Sequence, residues 1–320
     1  HLYGSSYGLI TSAAAEKHCG PVLLVTPDTA TAQRLEYALH FYTDEKTLPI
    51  LTFPDWETLP YDIFSPHQDI ISERLTTLYK LPALEKGIVI TSAQTLMQRL
   101  CPSSYLQANS LMLDIGQQLN LDNMRRQLEH AGYNCVSSVV EHGEFAVRGS
   151  LLDLYPMGSS KPLRIELFDD EIESIRSFDP ETQRSIEKVD NVRLLPAREF
   201  PLNKDAVSQF RKAYRARFEG DTRSSVVYRD VSNGIAPPGI EYYLPLFFEQ
   251  SETIFNYLPE NTLIMFADDI KGTTEKHWQE IDERYEQRRH DLDRPFRSPA
   301  DMFLQPQAVL SSVNACMRVE

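Results

Sequence analysis

The sequence predicts an α/β protein: a parallel sheet drawn from two separated stretches of chain, interrupted by a small α+β unit with an antiparallel sheet. Strand and helix signals alternate through the first hundred residues, as in a parallel sheet covered by helices on both faces. From about residue 110 to Ala197 the pattern becomes apolar–polar alternation between Gly, Pro and Asp turns, the period of antiparallel strands with one wet face. From Arg198 onward helical segments return, with one clear apolar strand, TLIMFADD.

The elements follow in order. PVLLVTPD has the composition of a buried strand, and TATAQRLEYALHFYT of the amphipathic helix after it, with Leu35, Leu39 and Tyr42 along one stripe. LPILTFP is a short strand, and DIISERLTTLYKL places Ile71, Leu75 and Leu78 at helical spacing. GIVITS is another buried strand, followed by AQTLMQRL as a helix. After SLMLDIGQQL and one helix, LDNMRRQLEHAGY, come the strand segments GEFAVRG, LLDLYP, LRIELFDDEIESIRSFD and IEKVDNVRLLPA. The three parts are expected at 1–109, 110–197 and 198–320. There is no internal repeat and no low-complexity tract.

Composition narrows the function classes. With 320 residues and 42% hydrophobic content the chain supports more than one packed core. No run approaches the roughly 18 apolar residues of a membrane span. The four cysteines, Cys19, Cys101, Cys135 and Cys316, lie far apart without C-x-x-C spacing, which argues against zinc or a disulfide framework and for a reducing cytoplasm. Forty-six acidic against 32 basic residues give a net charge of −14, a field that opposes autonomous DNA binding and favours protein partners.

The opening HLYGSSYGLITSAAAEK invites comparison with a phosphate-binding loop, which needs G-x-x-x-x-G-K-[ST]. With Ser12 in the Ser/Thr place, the lysine position holds Thr11 and the preceding glycine position Ile10. Counting instead from Gly4, those places hold Ile10 and Leu9. No lysine occurs before Lys17. LIMFADD ends in Asp268 and Asp269 where a Walker-B strand would end in Asp-Glu. Gly8, Ile10, Thr11, Ser12, Asp268 and Asp269 are therefore expected to be a degenerate nucleotide site in a glycine-spotted turn. Weak phosphate binding at a helix N-terminus could survive there, but ATP hydrolysis is not expected.

The middle segment carries a specific likeness. GEFAVRGSLLDLYP followed by LRIELFDDEIESIRSFDPETQ resembles the UvrA-binding domain of UvrB, and GIEYY at 239–243 resembles a UvrB-type signature beyond it. DWETLPYDIFSPHQDIISERLTTLYKL, TLMQRLCP, LLDLYPMGS and GIEYYLPLFF are similar to the N-terminal region of the bacterial transcription-repair coupling factors, Mfd, and the likeness covers essentially the whole chain. It implies a degenerate RecA/helicase-like domain in two parts, like UvrB domains 1A and 1B, around an inserted UvrA-binding domain. It further implies a non-catalytic adaptor without cofactor or metal that recruits excision repair to stalled RNA polymerase. Contacts to RNA polymerase and DNA would lie in other regions of the full-length protein. Two rival readings stay open: a UvrB-like ATPase or DNA-binding module with an unorthodox loop, and an autoinhibitory clamp on the C-terminal portion of a longer protein.

Carried over by motif, the UvrA-contacting residues are Arg148, Arg164 and Phe168, with Glu166 beside them. Arg164, Glu166 and Phe168 share the i, i+2, i+4 spacing of one strand face, leaving Ile165 and Leu167 for the core. An aromatic on the polar face beside arginines suits a binding hot spot. The bland alternative has Phe168 closing the domain's own core while the arginines pair with Asp169 or Glu171. A metal reading of Asp153, Asp169, Asp170, Glu171 and Glu173 is weaker, because DDEIE is a local run at a turn and metal sites need convergence from separate elements. His142 in EHGE lacks a nucleophile partner and reads as structural or exposed. Trp56, Tyr61 and Phe64 sit in an acidic stretch, which favours a wedge between elements over a base-stacking platform.

Overall fold

The computed structural model describes residues 5–218, 222 and 224–316. Its first part runs α1 (Ser6–Lys17), β1 (Val22–Thr26), α2 (Thr29–Tyr42), β2 (Ile50–Phe53), α3 (Gln68–Lys80), β3 (Ile88–Ser92), α4 (Ala93–Leu96) and α5 (Ser103–Ala108). Then follow β4 (Leu111–Asp114), α6 (Leu121–His130), β5 (Asn134–Cys135), β6 (Glu144–Arg148), β7 (Leu151–Leu154), β8 (Leu163–Phe168), β9 (Glu171–Phe178), β10 (Ser185–Val189) and β11 (Asn191–Leu194). The last part holds α7 (Lys204–Arg217), α8 (Val226–Ser232), α9 (Ile254–Tyr257), β12 (Leu263–Phe266), α10 (Ile270–Arg288), α11 (Pro299–Met302) and α12 (Pro306–Cys316).

Strands from both ends of the chain share one parallel sheet, in the order β12-β1-β3-β2. β1 and β3 are buried at every position, as strands covered on both faces must be. Val22, Leu24, Ile88 and Ile90 pack with Ala15, Ala32, Leu35 and Leu39 of α1 and α2. Leu23, Val25 and Val89 belong to the main core on the other face, with Ile71, Leu75 and Leu78 of α3. α2 starts where Asp28 accepts a bond from the Thr31 N–H at 2.7 Å, a side-chain cap for an otherwise orphaned donor.

Between these halves lies a six-stranded sheet of order β10-β9-β8-β7-β6-β5, antiparallel except for the β5–β6 pair. β4 and β11 form a separate antiparallel pair at the entry and exit of this segment. IEKVDNVRLLPA, read above as a strand segment, is two strands in different sheets, divided at Asp190. AQTLMQRL departs further, because α4 stops at Leu96. The Leu100 and Glu252 backbones exchange bonds of 2.8 and 2.9 Å, and the Leu304 N–H donates to the Met97 carbonyl at 2.7 Å. Those long-range partners displace the helical ones, so tertiary context overrides propensity.

Two joints hold the parts together. Arg74, fully buried on α3, donates to both carboxylate oxygens of Glu199, just beyond the antiparallel segment, and to the Pro54 carbonyl at 2.7 Å. Its guanidinium lies 4.4 Å from the Phe53 ring centroid and 5.1 Å from that of Trp56. The second joint is aromatic: buried Trp56 and Tyr61 meet Tyr242 of GIEYY, and Tyr61 also meets Tyr285, Phe296 and Phe303. Trp56 and Tyr61 are the expected wedge, whereas Phe64 stays outside it, exposed. Gly239 enters this joint at φ +76°, where a Cβ would lie 2.7 Å from the Asp62 carbonyl oxygen, so only glycine fits without displacement. No described helix is long and apolar enough to cross a membrane.

Candidate functional site

The register of the six-stranded sheet decides what its outer face offers. Arg148, Leu151, Glu166 and Ser174 stand in one cross-strand row, and Ala146, Asp153, Arg164 and Arg176 in the next row of the same face. Val147, Leu152, Ile165 and Ile175 form the row between them on the opposite face, where Leu152, Ile165 and Ile175 are fully buried. β8 therefore alternates as its spacing predicts, with Ile165 and Leu167 in the core.

The outer face is not uniformly wet. Val139, Ala146 and Phe178 form a small second core on it, with Val136 and Tyr155 packed alongside. Arg164 lies at this covered end, and its side chain is 17% exposed. Its Nε and one terminal nitrogen donate to the two oxygens of Asp153 at 2.8 and 2.9 Å, and the other donates to the Gln183 carbonyl at 3.3 Å. The guanidinium also lies 5.0 Å from the Phe178 ring centroid. Bidentate pairing with Asp153 pushes the Arg164 pKa up, further into the always-charged range. Neither Asp169 nor Glu171 takes the arginine, because Asp153 stands directly opposite it on β7.

The other end of the face is open. Phe168 is 70% exposed at the β8–β9 turn, so it does not close the domain's own core. Asp169 takes φ +52° there, a left-handed conformation that a short polar side chain tolerates. The hairpin end is braced from below: the Leu119 N–H donates to the Asp170 carbonyl at 2.6 Å and the Ile172 N–H to the Gln117 carbonyl at 2.9 Å. Glu166 accepts from the Ser174 hydroxyl at 2.7 Å and lies 3.9 Å from Arg176. Arg148, with 49% of its side chain exposed, donates to the Ser137 carbonyl at 2.6 Å and is 4.0 Å from Asp153. Arg148, Glu166 and Phe168 thus line the accessible part of the face, and Arg164 lies beneath it. The role of Asp153 was hidden from the sequence, since it depends on the β7–β8 register.

The remaining candidates fall elsewhere. Gly8, Ile10, Thr11 and Ser12 all lie inside α1 rather than in a turn before a helix. Gly8 sits where a Cβ would approach the Ala38 Cβ to 3.1 Å, so the glycine allows close packing on α2. The Ser12 hydroxyl donates to the Tyr42 carbonyl at 3.2 Å and accepts from Thr43 at 3.1 Å, while Ile10 is exposed. Gly4, the alternative start of the loop motif, is outside the described residues. Asp269 caps α10 through the Lys271 and Gly272 N–H groups at 3.1 Å, and Asp268 accepts from the Asp269 N–H at 2.8 Å. His142 is structural: its ring nitrogens lie 2.6 Å from an Asp69 oxygen and 2.8 Å from the Ser159 carbonyl oxygen, tying α3 to the antiparallel unit. Among the described residues, no group of three His, Cys, Asp or Glu side chains is placed to hold a metal ion.

Comparison with known proteins agrees with the middle segment's likeness. Residues 111–200 match the model of the UvrB interaction domain. The chain is 44% identical over 320 residues to the transcription-repair-coupling factor of Escherichia coli K12, covering 100% of this chain and 28% of that relative. It is 45% identical over 313 residues to the protein of the same description from Haemophilus influenzae, 97% of this chain and 27% of that one. With the Bacillus subtilis protein of that description, identity is 27% over 278 residues, 82% and 23% of the two chains. The chain therefore spans between a fifth and a third of the length of these relatives.

Proposed function

The chain is homologous along its whole length to the N-terminal part of the transcription-repair-coupling factors and contains a UvrB interaction domain, and from that premise we propose that it is a non-catalytic module that binds UvrA. In this reading it brings nucleotide excision repair to a stalled RNA polymerase. Residues 110–197 are the inserted UvrA-binding domain, and 1–109 with 198–320 are the two parts of a degenerate helicase-like domain. RNA polymerase and DNA are contacted by regions of the full-length protein outside this chain.

The observation that carries the proposal is Phe168, a large apolar side chain 70% exposed on a braced hairpin. Holding an apolar ring in water is unfavourable, and a rigid support lowers the entropy lost when a partner covers it. Arg148 supplies the accessible guanidinium for a partner's carboxylate, and Arg164, locked on Asp153, fixes the strand beneath. The flanking α/β part serves as scaffold. Its α1 carries no lysine at the phosphate-loop position and commits the Ser12 hydroxyl to α2, so no ATP turnover is expected.

Size-exclusion chromatography of the chain mixed with purified UvrA, with phosphate release from Mg-ATP followed in parallel on the chain alone, tests both halves. Co-elution without turnover is expected. Separate elution at micromolar concentrations, or turnover by the chain, would overturn the reading.

A further inference from the structure

One imidazole links the start of α3 to the antiparallel unit. His142 Nδ1 lies 2.6 Å from Asp69 Oδ1, and Nε2 lies 2.8 Å from the Ser159 carbonyl oxygen. Both partners, a carboxylate and a backbone carbonyl, are acceptors only. A neutral imidazole has one N–H and one lone pair, so it serves one of them and turns its lone pair on the other. Only the doubly protonated ring donates to both.

The ring has little freedom to turn away from either acceptor. It is 14% exposed and lies against the Tyr155 ring, with centroids 4.0 Å apart. Glu144 closes the turn that presents it, accepting from the Val140 and Glu141 N–H groups at 2.8 and 2.9 Å. Gly143 follows at φ +79°, and its N–H donates to the Tyr155 carbonyl at 2.9 Å. The loop that carries the second acceptor is held as firmly. The Ser159 N–H donates to the Pro156 carbonyl at 3.2 Å and its hydroxyl to the Lys161 carbonyl at 2.6 Å. Beside it the Gly158 N–H donates to Ser72 Oγ of α3 at 2.8 Å. A Cβ on Gly158 would lie 2.7 Å from Thr76 Oγ1, so loop and helix are in close contact there.

The other ionisable groups around the ring are engaged elsewhere. On α3, His67 Nδ1 accepts the Asp69 N–H at 3.3 Å, so that nitrogen has no proton for the Asp69 carboxylate. At the end of β7, burial and then the Asp69 charge push the Tyr155 pKa up, and its neutral hydroxyl donates to the Ser160 carbonyl at 3.2 Å. Glu144 is held within its own turn, Glu141 beside it is exposed, and Lys161 reaches Glu187 at 2.9 Å. We propose that His142 is a proton-dependent clasp between α3 and the antiparallel unit, closed by the imidazolium and loosened when the ring gives up its second proton. Imidazole is the side chain that ordinarily changes charge between about pH 5 and 8, so the clasp tightens on the acid side of that span and loosens as pH rises. The buried Arg74–Glu199 pair still joins the parts, so the change is a loosening rather than unfolding. It is independent of what the Phe168 face binds.

Ring-nitrogen NMR of the 320-residue chain labelled with ¹⁵N-histidine, with amide exchange of residues 156–161 followed on the same samples, tests the proposal. His142→Gln identifies the ring signal. At about pH 6 both His142 ring nitrogens should carry protons, and at about pH 8 one proton should be gone. Over the same step, opening at the Gly158 amide, corrected for the intrinsic pH dependence of exchange, should rise about fivefold or more while β1 and β3 stay unchanged. In His142→Gln the corrected opening should be the same at both pH values. Asp69→Asn, at an exposed carboxylate, keeps the test independent of how His142→Gln folds, and should raise opening at the lower pH about threefold or more. The proposal falls if the ring holds a single proton at the lower pH, if wild-type opening at Gly158 does not change between the two, or if either folded variant behaves like wild type.

Discussion

Phe168→Ala removes a side chain that the free protein hardly uses, so its cost should fall on the complex. A phenylalanine offers about 200 Å² of surface, of which 70% is exposed here, leaving roughly 140 Å² for a partner to cover. At about 25 cal/mol per Å² that is at most about 3.5 kcal/mol, and anchors of this kind cost about 2 kcal/mol or more on truncation. The expected loss of UvrA affinity is therefore roughly 30- to 300-fold. Folding stability should stay within about 0.5 kcal/mol, because Leu167 and Ile172 hold the hairpin in the core without it. Calorimetric titration of UvrA with both chains, paired with thermal melts, measures the two quantities. Equal UvrA affinity in a folded Phe168→Ala chain would refute the reasoning. A large drop in melting temperature would also refute it, since it would make Phe168 a core residue.

The two arginines should separate by the same pair of measurements. Arg164→Ala strands Asp153 in a buried position and should cost about 2 to 3 kcal/mol of stability as well as affinity, whereas Arg148→Ala should lower affinity with little change in melting. Glu199→Ala leaves the buried Arg74 guanidinium unpaired, and a loss of about 3 to 5 kcal/mol in urea unfolding is expected. Glu241 accepts from the Ser65 hydroxyl at 2.8 Å in a buried site, and burial raises its pKa to about 7. Its native state thus holds a proton that the unfolded chain gives up, so its contribution is complete below the ordinary glutamate pKa and is lost as pH rises through about 7. Glu241→Gln should therefore gain stability relative to wild type as pH rises from 5 to 8, on the order of 2 kcal/mol in denaturation curves.

What could be read from the sequence was what depends on near neighbours. The stripe of Leu35 and Leu39, the unbroken apolar runs of β1 and β3, and the alternation of β8 each follow from a local period that the fold then used. What could not be read depends on partners far along the chain. α4 ends early because the backbone groups of Met97, Arg99 and Leu100, just beyond it, meet residues 252, 302 and 304. Arg164 looked free because Asp153 becomes its neighbour only through the β7–β8 register, and the cover over it comes from Val139 and Gln183. GSSYGLITS resembled a turn because glycine and serine favour turns, yet Gly8 serves helix–helix contact within α1. In the candidate site, residue types were legible while their division into a buried brace and an accessible face was not.

Hydrogen–deuterium exchange of the 320-residue chain, with and without saturating UvrA, tests the docking claim most directly. The account predicts new protection centred on residues 163–172 and reaching 144–151, with β1, β2 and β3 unchanged. Protection confined to the parallel-sheet part, or none across β6 to β9 at saturation, would contradict it.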